Sequence, residues 1–235
     1  MKKGDVRRVQ ILDAAEELFL RQGYDRTSVQ DILDALSMSK GGFYHYFDTK
    51  ESVLRAVSER HALARFEKAR LELNDARRSP IDRLNLLLSM ANLFETEDAA
   101  FAAMLLKLCY MDGDAAMNVH RRRILVEQLT PLVDAVIAAG VDDGSFHSRH
   151  PMEIGRLLVL LAADVNDEVC ALLARQAENP DVMLKLLELL NTWRESAELL
   201  VGAPYGSLLL FDAGRMMAAW QAALENLGQM EDGIS

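Results

Sequence analysis

Cysteine is scarce in this chain, and the scarcity excludes two classes at once. Cys109 and Cys170 have no CxxC spacing and sit among apolar neighbours. They read as buried thiols, not as a disulfide framework or a metal site. Proline occurs only at positions 80, 131, 151, 180 and 204, so few points interrupt helices. No apolar run approaches the roughly 20 residues of a membrane span; the longest, AAFAAMLL at 99–106, stops at Lys107. The basic start, MKKGDVRR, is not followed by an apolar stretch with a small-residue cleavage site, so no secretory signal is read and a cytoplasmic location is expected. Nucleophile elbow, phosphate loop and metal-ligand spacing are all missing, so neither an enzyme nor a cofactor is expected.

Positive charge is also short. The 26 Lys and Arg face 36 Asp and Glu, for a net charge of −10, which taken alone argues against a nucleic-acid partner. The average hides a division. Residues 1–78 carry 15 basic against 13 acidic side chains, a net of +2, while residues 79–235 carry 11 against 23, a net of −12. Two segments with different partners are expected.

What is present is helical periodicity, with no confident strand. Ile11, Leu12, Ala15, Leu18 and Phe19 form the stripe of an amphipathic helix stopped at Gly23. Thr27 with Gln30 reads as a capping box for a short second helix carrying Val29, Ile32, Leu33 and Leu36. Ser39 caps a third, and Asp48 or Thr49 opens a long fourth. Beyond Pro80, helices are expected over 81–95, 99–111, 115–139, 151–176, 181–200 and 207–227, separated by turn sequences such as GVDDGS and GAPYG.

The third helix is odd. SMSKGGFYHYF, residues 37–47, contains adjacent glycines, each costing a helix interior about 1 kcal/mol relative to alanine. Placed at 100° per residue, Phe43, Tyr46 and Phe47 share one side, and Gly41, Tyr44 and His45 the other. The first set suits a core, whose buried aromatics offset the glycines. The second suits DNA. Two short helices joined by a tight turn are a helix-turn-helix, whose second helix enters the major groove. Glycine lets backbone approach the duplex, free N–H groups attract phosphate, and Lys40 offers a donor to guanine.

The run from Ile11 to Val57 resembles the N-terminal domain of TetR/AcrR-type transcriptional regulators. It does so through AA-x-x-LF, the GY-x-x-TS opening of the second helix, S-K-G, YHYF and the K-E that starts the fourth. One departure is Ser37-Met38, where the family often has Gly or Ala followed by Val. The resemblance implies an all-α homodimer: a three-helix DNA-binding domain over 1–50, joined by a long fourth helix to a ligand-binding and dimerisation domain over 51–235. It implies a palindromic operator in double-stranded DNA, released when a small molecule binds. Carried over by position, Thr27, Ser28, Ser39, Tyr44, His45 and Lys50 would touch phosphates, and Lys40, Gly41 and Gly42 would approach base edges.

The remaining three quarters are less specific. Met90, Phe94, Phe101, Met104, Tyr110 and Met111 are candidates to line a ligand pocket, because methionine and aromatics adapt to irregular shapes between helices. The apolar helices within 151–227 are the candidate dimer interface. HRRRI at 120–124 reads as a solvated face, and His147 and His150 as loop or cap residues; no metal is expected. Asp164, Asp167 and Glu168 share one helix face, suited to a solvated edge, a cationic ligand or a dimer contact. A regulator with the same reader but a protein partner in place of an inducer stands as the alternative, and an enzyme as a remote one.

Overall fold

The computed structural model describes residues 3–91, 99–112, 114–148, 150–175, 181–209 and, near the C-terminus, 214, 218, 220–222 and 225. Among these the regular elements are all helical, as expected. They run α1 (Lys3–Gln22), α2 (Val29–Ala35), α3 (Lys40–Tyr44), α4 (Lys50–Leu73), α5 (Pro80–Ser89), α6 (Ala99–Leu106), α7 (Ala115–Asp142), α8 (Pro151–Ala174) and α9 (Val182–Val201).

The predicted stripe of α1 is its buried face: Ile11, Leu12, Ala15, Leu18 and Phe19 are all in the core. The helix stops at Gly23, whose φ of 87° lies in the left-handed region. The next cap differs from the expected one. Ser28, not Thr27, opens α2, and its amide and hydroxyl each donate to the Asp31 carboxylate at 2.7 Å while the Asp31 amide donates back to Ser28 Oγ. Thr27 cannot serve because it is buried, with its hydroxyl donating to the Gly23 carbonyl at 2.8 Å. Gln30 is turned along the helix onto Asp34. Ser39 caps α3, and Thr49, paired with Ser52, caps α4.

Past α4 the structure departs from the sequence reading in three places. α5 ends at Ser89, and the rest of the expected 81–95 helix reaches residues outside those described. The 99–111 helix changes after Leu106 into one π-type turn, Lys107–Met111, closed by the Asp112 amide donating to the Lys107 carbonyl at 2.8 Å. The helix expected from 207 starts later. Residues 207–209 lie outside a helix, pinned by Asn85 of α5, which donates to the Ser207 carbonyl and accepts from the Leu209 amide; the described residues from 214 to 225 are helical.

Two apolar clusters hold these helices. One joins α1, α2, α3 and the first turns of α4 to α6, the π turn, the end of α8 and the start of α9. The other joins the second half of α4 to α5, α7, the start of α8 and the end of α9. α7 is the central strut, packed on α4, α5 and α8. By length and composition alone it is apolar enough to cross a membrane, which no uninterrupted apolar run in the sequence suggested. It lies close against α8 at Gly155, where a Cβ would lie 1.9 Å from the Asp134 carboxylate.

Candidate functional site

α3 ends at Tyr44, shorter than the expected 40–47 helix, with His45 and Tyr46 in the turn that follows, yet the stretch still divides as its angular pattern predicts. Phe43 is fully buried and Phe47 nearly so, with Tyr46 partly covered against the same core. Burial of an aromatic of this size stabilises by about 1.5–3 kcal/mol, enough for two of them to outweigh two glycines. Tyr44 keeps 52% of its surface exposed, its ring held edge-on to Phe43 at 5.5 Å. Ser39, Lys40, Gly41 and His45 are exposed beside it.

The two glycines have different reasons. A Cβ at Gly42 would come within 3.3 Å of Met38 Cγ and 3.4 Å of Ser39 Oγ, inside the turn. A Cβ at Gly41 would meet nothing within 4 Å, so the protein itself does not require glycine there. Ser37, at the departure from the family pattern, has a φ of 48°, the one positive value at a non-glycine residue among those described. The small family residue belongs at a position that strains side chains.

Two expected phosphate contacts are recast. Thr27 is buried with its hydroxyl spent on Gly23, so the residue presented at the start of α2 is Ser28. Lys50 donates to the Tyr24 carbonyl at 2.8 Å and lies 4.1 Å from the centre of the Tyr24 ring, which ties the start of α4 to the turn after α1. One residue escaped the sequence reading. Arg7 of α1 borders a shallow recess with Ser39, Gly42 and His45, adding a cation beside the exposed face of α3; the only advance signal was the MKKGDVRR charge run.

The second site is a partly open cavity of about 70 Å³ between α4, α6, α7, α8 and the residues that follow α5. Of the expected pocket residues, Met90 and Phe101 line it, and Phe94 lies outside the described residues. Met104 is instead buried in the first apolar cluster, and Met111 points out with 52% of its surface exposed. Tyr110 faces an adjoining groove with Asp164 and Glu168. Burial pushes its phenol far above the usual range, so it stays a neutral donor to Asp167 at 2.5 Å.

The polar wall of the cavity was not foreseen. Arg121 and Arg122, within HRRRI, turn inward. Arg121 donates to the Tyr110 oxygen at 3.1 Å, and Arg122 pairs with Asp164 and Asp167. The DVNDE face and the HRRRI face therefore hold each other, through contacts some 45 residues apart in sequence. His61 of α4 completes the wall. Burial raises Cys109 to about 11 and Cys170 to about 12, so neither thiol is reactive.

A helix-turn-helix whose aromatics seal its core and whose lysine and glycine face outward, joined to a larger helical body, defines a DNA-binding transcriptional regulator. The family described as "Bacterial regulatory proteins, tetR family" matches residues 11–57. The HTH-type transcriptional repressor KstR2 of Rhodococcus jostii (strain RHA1) is 31% identical over 153 residues, covering 63% of this chain and 72% of that protein. The chain belongs to the TetR family of bacterial transcriptional regulators, which are not enzymes. Two solved structures share its fold. A TetR-family regulator (ECA1819) from Pectobacterium atrosepticum is 20% identical with a TM-score of 0.58, over 86% of this chain and 97% of that one. FadR from Bacillus subtilis, solved in complex with stearoyl-CoA, is 19% identical with a TM-score of 0.54, over 84% and 99%.

Proposed function

We propose that the protein is a repressor that binds a palindromic operator as a homodimer and leaves it when a small molecule occupies the cavity. Residues 1–50 act as reader and residues 51–235 as sensor and dimeriser. The single observation that carries this reading is the pairing, in one chain, of the exposed Lys40–Gly41–Tyr44 face with a cavity walled by α4, the helix that leaves the reader. Ser28, Ser39, Tyr44 and His45 hold phosphates, while Lys40, Gly41 and Gly42 approach base edges. The stearoyl-CoA in FadR and the repressor relative support an effector and its sign of action.

Dimerisation uses α8 and α9. Leu157 and Leu161 on α8 and Leu184 and Leu187 on α9 are large apolar residues left 40–60% exposed at helical spacing, the composition of two helices awaiting a partner pair. The paired readers then sit one DNA turn apart, about 34 Å. An occupied cavity favours a different setting of α4 and draws the readers off that spacing. The acidic sensor is repelled by the duplex and leaves contact to the reader, and the protein is expected to work in the cytoplasm. The test is selection from a random duplex pool with the full-length protein. An inverted repeat should be enriched; a pool without one would refute the reading.

A further inference from the structure

The cavity and the reader meet in one side chain. The ring of His61 lies flat on Phe101 of α6, with centroids 3.9 Å apart and planes 10° from parallel, and both residues line the cavity. The edge of the same ring belongs to the reader: Nε2 is 2.7 Å from Glu16 Oε1 of α1. The neighbouring Arg60 binds the same stretch of α1, pairing with Asp13 at 2.5 Å and with Glu16. Glu16 itself is largely covered, with 18% of its side chain exposed.

Size makes this arrangement responsive. A cavity of about 70 Å³ is far below the roughly 300–1,000 Å³ of ligand pockets, so an effector of that larger size presses on its walls, Phe101 and His61 among them. Phe101 is in the first turn of α6, a two-turn helix that runs directly into the π turn, an irregularity of the kind found at functional sites. A stack at 3.9 Å leaves no slack. When Phe101 shifts, the imidazole must follow or lose its face contact, and a hydrogen bond weakens steeply with misalignment.

We infer that His61 is the positioning residue that transmits the state of the cavity to the reader, its face following Phe101 and its edge setting Glu16 and hence α1. The inference rests on the release reading above and adds the residue through which release travels. Ligand entry breaks the His61–Glu16 bond, leaves the Arg60 pairs beside the apolar packing of α1 on α4, and lets the reader pivot on α4.

The relay is testable without an effector, as a coupling between two residues bridged by His61. Operator affinity of the full-length protein is measured for Glu16→Gln, Phe101→Leu and the double variant, each with His61 and with His61→Ala. With His61 present the two effects should depart from additivity by about threefold or more in Kd, and with alanine they should be additive. Additivity in both backgrounds, or the same departure in both, overturns the relay. Because Phe101→Leu also loosens α6, amide exchange of α1 is followed without DNA. Exchange around Glu16 should speed up on Phe101→Leu only when His61 is present, and an equal change with alanine overturns the relay independently. A wild-type protein that binds no operator contradicts the release reading instead and leaves the exchange experiment to decide on His61.

Discussion

The reader and the helical body beyond it keep their polar groups in opposite places. Among the described residues of the reader the buried side chains are apolar apart from Thr27, and the polar ones are mostly caps and outward donors, with Glu16 and Lys50 as inward ties. In the body, polar groups are inside: Arg121, Tyr110 and Asp167 around the cavity, Asn166 in the core, and Glu198 holding Arg194 and the Leu208 amide. An apolar core has one good packing and resists deformation, whereas a polar network in low dielectric can exchange partners at a cost that a ligand offsets. On the function proposed above, the difference teaches that this chain places rigidity where geometry must match DNA and adaptability where an effector would be sensed.

The largest predicted effect attacks the rigid side. Phe47→Ala should cost about 3–5 kcal/mol of stability, read by chemical denaturation, and a loss below 1 kcal/mol would mean the aromatic core is not what offsets the glycines. Lys40→Ala should weaken operator binding by about tenfold with an unchanged melting temperature, since its side chain is exposed; unchanged affinity would show that another element reads the bases. Gly41→Ala separates folding from contact more sharply still. With open space around its Cβ, alanine should stabilise the protein by up to about 1 kcal/mol and yet lower operator affinity, and a variant that gains both would remove Gly41 from the interface.

The next prediction lies on the seam between the regions. The His61 hydrogen bond, helped by Arg60 and opposed by burial, holds the Glu16 carboxyl below its usual range. A carboxylate with a depressed folded pKa stabilises above its unfolded pKa and loses that contribution as pH falls through the folded value. The wild-type protein should therefore lose stability faster on acidification than Glu16→Gln does, and parallel curves would contradict the seam. The smallest effect is Ser37→Gly. Relief of the left-handed φ should add about 1 kcal/mol without altering DNA affinity.

Legibility in the sequence follows the same divide. The reader's contacts are local: the α1 stripe, the Ser39 and Thr49 caps and the two faces of α3 each follow from residues within one or two turns of each other. Even the misplaced capping box erred by one residue, because adjacent Thr27 and Ser28 offer the same hydroxyl and only burial decides between them. The body's chemistry is non-local. His61 reaches Glu16 across 45 positions, and Tyr110 reaches Asp167 across 57. Methionine content signalled softness without direction, so Met90 was found at the cavity and Met111 on the surface. HRRRI read as solvated because no local pattern shows that α8 supplies the opposing carboxylates.

The claim on which the rest depends is that a chain of net charge −10 binds DNA through its reader alone. The direct measurement is the affinity of the full-length protein for its selected duplex across a series of salt concentrations. The account predicts a steep linear fall of log K with log salt, with a shallower slope for Lys40→Ala. A flat response, or a slope that Lys40→Ala leaves unchanged, would contradict it.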